Sequence, residues 1–161
     1  YKKIAIEEDL VSVYMFKKIK NKLKGRYYDV SSICKEIRTK KEVSELKKIK
    51  KACSVSDLIF EKICKNFKFK TEDEIREFIK KECEKNKCEL AFPPIAASAE
   101  GTSKVHYEGS KKLKKGFLML DFGAKYKGYC SDMTRMLYLG TPTKKEIEDS
   151  ILGDDIDIDD E

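Results

Sequence analysis

The chain has 161 residues, 40% hydrophobic and 40% charged, with a net charge of +6. That length suits one ordinary domain or pieces of two, and the mix is too apolar for a disordered chain. The longest apolar runs, such as residues 117–120, are far too short to cross a membrane. No charged segment followed by an apolar one opens the chain, so no signal peptide is expected, and Tyr1 in first place points to a start inside a longer protein.

Six cysteines stand at 34, 53, 64, 83, 88 and 130, none in CxxC spacing, and His106 is the single histidine. That combination argues against a zinc finger. The cysteines read as small hydrophobes within helices, and unpaired thiols suit a reducing cytoplasm. Residues 154–161 hold six acids and no base, so the rest of the chain carries +12. Its lysines are scattered over polar helix faces, as at Lys47, Lys48, Lys50 and Lys51, without interleaved aromatics. This is the pattern of a solvated surface, and no nucleic-acid partner is expected.

In chain order, residues 3–7 read as a strand and residues 10–24 as an amphipathic helix. Leu10, Val13, Tyr14 and Ile19 share one side of that helix, and Gly25 ends it. Residues 27–30 read as a second strand, and Ser31 or Ser32 as the cap of a short helix through Arg38. Thr39-Lys40-Lys41-Glu42 and Thr71-Glu72-Asp73-Glu74 have the spacing of capping boxes. The helix after the first repeats Val43, Leu46, Ile49, Cys53, Phe60, Ile63 and Phe67. The helix after the second carries Ile75, Phe78, Ile79 and Cys83 on one face. Beyond Cys88 the pattern turns to β. Residues 90–97 contain Pro93-Pro94 and read as an edge or irregular strand. Residues 99–101 read as a turn, 104–107 as a short extended piece and 114–116 as a turn, followed by strands over 117–123 and 129–139. In the tail, Asp155, Asp157 and Asp159 alternate as in a calcium loop, but Asp160 stands where an EF-hand needs glycine, and a disordered acidic end is the plainer reading.

The chemistry concentrates at Asp121 and Asp132. A two-residue loop at Tyr126-Lys127 pairs Lys125 with Gly128 and sets Asp121 directly opposite Asp132, with Cβ atoms about 4.5–5.5 Å apart. Two carboxylates so placed repel unless they share a proton or hold a divalent cation. Thr134 shares their face and can hydrogen-bond a carboxylate, while Arg135 points away. The spacing alone leaves open a different register, or two carboxylates facing water. Asp121-Phe122-Gly123 spells a kinase motif, yet no glycine-rich phosphate loop or His-Arg-Asp accompanies it. His106 reads either as a surface or packing residue or as a group for proton handling and substrate hydrogen bonding.

Three segments resemble one family. Ile37-Arg38-Thr39-Lys40-Lys41-Glu42 is similar to the domain junction of the Xaa-Pro aminopeptidase and prolidase group of M24 metallopeptidases. Phe92-Pro93-Pro94-Ile95-Ala96-Ala97-Ser98, with Val105-His106-Tyr107, resembles its strand and histidine loop. Residues 118–135 resemble its most specific element, in which two aspartates bind a two-metal centre. The resemblance implies an α+β fold, the first half of a pita-bread (creatinase/aminopeptidase) fold preceded by the end of an α/β amino-terminal domain. It divides the chain into 1–38, the remnant of that domain; 39–150, the amino-terminal half of the catalytic domain; and 151–161, an acidic tail. It implies Asp121 and Asp132 as metal ligands and His106 as the residue that contacts substrate or stabilises the intermediate. It also implies two divalent ions (manganese, cobalt or zinc) whose bridging hydroxide cleaves peptides with proline at the second position. The implied setting is cytoplasmic, with a second copy or a complementary half-chain as partner and no membrane. The family's other ligands, a histidine and two glutamates, have no counterpart here: no histidine follows Leu139, and the later glutamates are Glu146, Glu148 and Glu161. The chain alone is therefore expected to lack a complete site. A non-catalytic binding module and a methionine aminopeptidase are the alternatives.

Overall fold

The computed structural model of the chain describes residues 3–103, 109 and 112–152. The acidic tail from residue 153, the 104–107 segment and His106 lie outside the described residues. The chain divides into two compact units, Tyr1–Leu46 and Lys47–Glu161.

In the first unit, strand β1 (Lys3–Ile6), helix α1 (Val13–Lys22) and strand β2 (Arg26–Asp29) form a β-α-β turn with the strands parallel, Lys3 beside Arg26 and Ile6 beside Asp29. Ser12 caps α1 by accepting from the Met15 N–H at 3.2 Å. Phe16 meets Tyr27 edge to face, with ring centroids 5.3 Å apart, and the Tyr27 hydroxyl donates to the Leu23 carbonyl. Of the apolar side expected for α1, Ile19 is half-buried, as is Phe16, but the rest is not. None of its residues is buried, and Leu10, Val13 and Tyr14 are 67–73% exposed. Helix α2 (Ser31–Thr39) has no serine cap. Instead the Asp29 carboxylate accepts from the Ser31 N–H at 2.9 Å and from its hydroxyl. Arg38 holds Glu7 through two hydrogen bonds, of 2.7 and 3.2 Å.

Helix α3 (Val43–Lys65) starts three residues later than the first capping box implies. Thr39 belongs to the end of α2, where its hydroxyl donates to the Lys35 carbonyl, and it is Glu45 that reaches back to the Glu42 N–H at 2.7 Å. The second box forms as expected at helix α4 (Glu72–Lys85), with Thr71 accepting from the Glu74 N–H at 3.2 Å. Glu74 in turn accepts from the Lys70 N–H. Helix α4 ends at Asn86 and Lys87, the latter with φ of 57°, and the Cys88 N–H closes back onto the Cys83 carbonyl at 2.9 Å.

Pro93 and Pro94 break the next segment into strands β3 (Glu89–Leu90) and β4 (Ile95–Ser98). A 3-10 turn at Ala99–Ser103 follows. The strand expected over 117–123 is β5 (Gly116–Phe122), followed by a further short strand β6 (Ala124–Tyr126), and the one expected over 129–139 is split into β7 (Tyr129–Cys130) and β8 (Met133–Leu139). They build two antiparallel sheets, ordered β4-β5-β8 and β3-β6-β7. Helix α5 (Lys144–Leu152) closes the described chain.

The core of the second unit is a helix-on-sheet layer. Val55, Ile59 and Ile63 of α3 and Ile75, Ile79 and Cys83 of α4 form one buried cluster with Leu118, Leu120 and Phe122 of β5. Alternation along β5 turns Phe117, Met119 and Asp121 to the opposite face. Two buried carboxylates are held by hydrogen bonds: Glu72 accepts from the Ser98 N–H and hydroxyl at 2.8 and 2.7 Å, and Glu82 joins Lys62 and Lys85, each at 2.6 Å. Hydrogen bonds from Lys62 and then Lys85 hold the Glu82 carboxyl below its ordinary range. All six cysteines are free thiols. Cys83 and Cys88 are buried as expected, but Cys53, Cys64 and Cys130 are exposed. Among the described residues, no helix is long and apolar enough to cross a membrane.

Candidate metal centre

Asp121 sits near the end of β5, the middle strand of its sheet, on the face turned away from the helices. Its neighbours in register are Ile95 on β4 and Thr134 on β8. The Thr134 hydroxyl donates to Asp121 Oδ1 at 3.2 Å, so the support expected from Thr134 is present. Arg135 pairs with Leu120 on the other face and donates to the Thr134 carbonyl, so it does not neutralise Asp121.

The register differs from the expected one by two residues. Lys125 pairs with Cys130 and Tyr126 with Tyr129, which makes Lys127-Gly128 the turn. Both turn residues have positive φ, 49° and 85°. A two-residue hairpin loop with two left-handed positions matches the twist of the strands it joins, and glycine at the second is its usual signature. Gly128 was thus the signal that a turn at Tyr126-Lys127 overlooks. A shift of two preserves the faces. Asp132 therefore does not oppose Asp121. It stands two residues before Thr134, the direct partner, just outside the ladder of β5 and β8.

Asp132 is exposed, and with Ser131 it occupies the gap between β7 and β8. On the facing chain Gly123 fills the matching gap between β5 and β6. The two gaps interlock. A Cβ on Gly123 would stand 1.9 Å from the Ser131 carbonyl oxygen, so only glycine lets the backbones come this close. Around them, the Gly123 carbonyl accepts from the Ala91 N–H and the Ala124 carbonyl from the Ser131 N–H, both at 2.9 Å. Lys48 on α3 lies over the Tyr129 ring, 4.8 Å from its centroid, a further tie between α3 and this hairpin.

Among the described residues neither Asp121 nor Asp132 has an ion-pair partner, and no group of three or more metal-binding side chains forms. Two neighbouring carboxylates without a base suit a hard divalent cation, which supplies the missing positive charge. On their own they offer fewer donors than such ions take. Sequence reasoning missed three supporting residues: Gly123, whose place inside an apolar strand pattern signals a close backbone approach, and Ser131 with Ser56, whose hydroxyls lie 2.8 Å apart and for which no local signal exists.

Residues 47–152 match the family described as metallopeptidase family M24. An uncharacterized peptidase of Staphylococcus saprophyticus is 37% identical over 136 residues, covering 77% of this chain and 37% of its own length. The Xaa-Pro dipeptidase from Bacillus anthracis superposes with a TM-score of 0.82 at 30% identity, covering 91% of this chain and 42% of its own. The X-Pro aminopeptidase from Thermotoga maritima MSB8 does so with 0.78 at 30% identity, over 91% and 43%. The chain spans about two fifths of the length of these relatives, and its mixed α+β arrangement matches part of the solved structures.

Proposed function

The chain belongs to metallopeptidase family M24, and from that premise we propose that it carries the first part of a dinuclear site that hydrolyses Xaa-Pro peptide bonds. Asp121 and Asp132 are its metal ligands, and His106 contacts the substrate. Residues 1–38 end an amino-terminal domain, 39–150 form the first half of a pita-bread catalytic domain, and 151–161 are an acidic tail. The likeness to an Xaa-Pro dipeptidase and an X-Pro aminopeptidase supports the substrate class, a peptide with proline in second position. The observation that carries the reading is the carboxylate pair itself: Asp121 is oriented by the Thr134 hydroxyl, Asp132 lies two residues before Thr134, and among the described residues neither has a base as partner.

When bound, divalent ions such as manganese, cobalt or zinc lower the pKa of water and polarise a carbonyl. The residues of this chain orient and hold. Thr134 donates to one Asp121 oxygen and limits rotation of the carboxylate. The Glu72 carboxylate, buried and bonded to both the N–H and the hydroxyl of Ser98, anchors the end of β4 beside Asp121's strand. The remaining ligands must come from chain beyond the two aspartates.

Manganese titration of the chain provides the test. Asp121→Asn and Asp132→Asn should each weaken Mn2+ binding by at least tenfold, followed by the electron paramagnetic resonance of the free ion. Supplying the complementary half of a family member should restore metal-dependent cleavage of Xaa-Pro dipeptides in preference to Met-Ala. Equal Mn2+ affinity in wild type and both variants would refute the ligand assignment.

A further inference from the structure

The two-residue gap that carries Asp132 is bolted to the helix layer by a buried pair of hydroxyls. Ser131 and Ser56 are 6% and 1% exposed, come from positions 75 residues apart, and have their oxygens 2.8 Å from one another. Ser131 Oγ accepts from the Ala124 N–H at 3.0 Å and donates to the Ala124 carbonyl at 3.2 Å. Within the pair either hydroxyl can be the donor. The Ser131 N–H donates to the same Ala124 carbonyl.

Position gives this pair its meaning. Strand β7 ends at Cys130 and β8 begins at Met133, so Ser131 and Asp132 lie outside both ladders. The Ser131 N–H keeps the backbone bond to the Ala124 carbonyl, and its hydroxyl accepts the Ala124 N–H that a backbone carbonyl would take in a regular ladder. The hydroxyl of Ser56 ties that point to the middle of α3. Buried hydroxyls cost free energy unless paired, and Val55 and Ile59, also buried on α3, show that an apolar contact is the rule in this layer. The Cβ-free Gly123 completes the arrangement by admitting the Ser131 carbonyl.

We propose that Ser131 and Ser56 are positioning residues that fix the backbone ahead of Asp132 and so hold its carboxylate at a set distance from Asp121 for a divalent cation. The inference rests on the metal reading above. The exposed Asp132 side chain has no hydrogen-bond partner of its own among the described residues, so its location is decided by its backbone. That backbone is fixed by the two hydroxyls.

Mn2+ alone, titrated into the full 161-residue chain, tests this. Ser131→Ala and Ser56→Ala should each weaken binding about tenfold, the low end of what is lost when groups that orient metal ligands are removed. Because both act through one route, the double variant should bind no more weakly than Ser131→Ala alone. Ile79→Val, a core change remote from the pair, should leave the affinity as in wild type while lowering the melting temperature, which separates positioning from mere stability. Should Ser131→Ala fail to fold, Ser56→Ala, confined to α3, carries the comparison. Wild-type affinity in folded Ser131→Ala and Ser56→Ala overturns the positioning role and leaves the ligand assignment standing. A wild-type chain that binds Mn2+ no better than Asp121→Asn overturns the ligand assignment, and the positioning role falls with it.

Discussion

Gly123 and Gly128 stand five residues apart and are glycine for different reasons. At Gly128 the demand is conformational. Its φ is 85°, and nothing lies within 4 Å of where a Cβ would be. At Gly123 the demand is spatial. The added carbon would sit 1.9 Å from the Ser131 carbonyl oxygen and 3.0 Å from the Ala91 Cβ. Ser131 cannot yield, because its N–H and hydroxyl are both committed to Ala124. Gly128→Ala should therefore cost about 1 kcal/mol, the usual penalty for a left-handed L-residue. Gly123→Ala should cost about 3 kcal/mol, as overpacking against fixed backbone does. Urea midpoints of the two variants check the order. Equal losses would mean that the approach of Gly123 to Ser131 does not constrain the fold.

At the scale of elements, α5 is joined to β8 by one carboxylate. Glu146 accepts from the Thr143 N–H and hydroxyl, each at 2.7 Å, and from the Tyr138 hydroxyl at 2.8 Å. These bonds, the Thr143 N–H first, pull its carboxyl from an ordinary 4.5 down to about 2. A depressed carboxyl stabilises the fold fully above its unfolded pKa, and the contribution drains away as pH falls through the folded value. The melting temperature of wild type should thus exceed that of Glu146→Gln above about pH 4.5, and the two should converge as pH drops toward about 2. A constant gap between pH 5 and pH 2 would sink this account. Helices were the elements most open to reading from sequence, because their signals are local: Ile75, Ile79 and Cys83 repeat at helical spacing, and Thr71 caps its own helix. The prolines marked residues 90–97 as an edge or irregular strand, and the structure goes further by breaking it into β3 and β4. The aspartate hairpin was half visible. The strands and faces followed from alternation, but the register depended on which residues took positive φ, and Gly128 was the clue. The break between β7 and β8 had no local clue beyond Gly123, since Ser131 is held by Ser56, 75 positions away. The exposed side of α1 was misread because apolar spacing tells which residues could be buried, and not whether a surface is there to bury them.

For the molecule as a whole, α3 and α4 cover one face of the sheet β4-β5-β8, and among the described residues the opposite face is covered only in part, by the contact of Tyr138 with Glu146 and around the buried Ala97. The helices bury Leu118, Leu120 and Phe122. The other face carries Ile95, Phe117, Met119, Met136 and Tyr138 around Asp121, with Phe117 and Tyr138 edge to face at 5.2 Å and Met136 50% exposed. Strands β4 and β8 are the outer strands of that sheet, so each offers an unpaired backbone edge among the described residues. Exposed apolar faces beside open edges favour association. The matched relatives are more than twice as long and have further chain available to cover such a face. The chain alone should therefore self-associate at concentrations of about 100 µM, within the range where exposed apolar surface and open edges drive aggregation, and its melting temperature should rise with concentration, as mass action requires when the associated form is the folded one. Met136→Lys, which places a charge on the outer strand of that face without touching the core, should shift sedimentation toward the monomer and remove the concentration dependence, at a cost of about 0.5 kcal/mol or less in monomer stability. A sharp, concentration-independent two-state melt of wild-type monomer would show that the partly covered face is tolerated in water, and the reason for the chain's association would have to be abandoned.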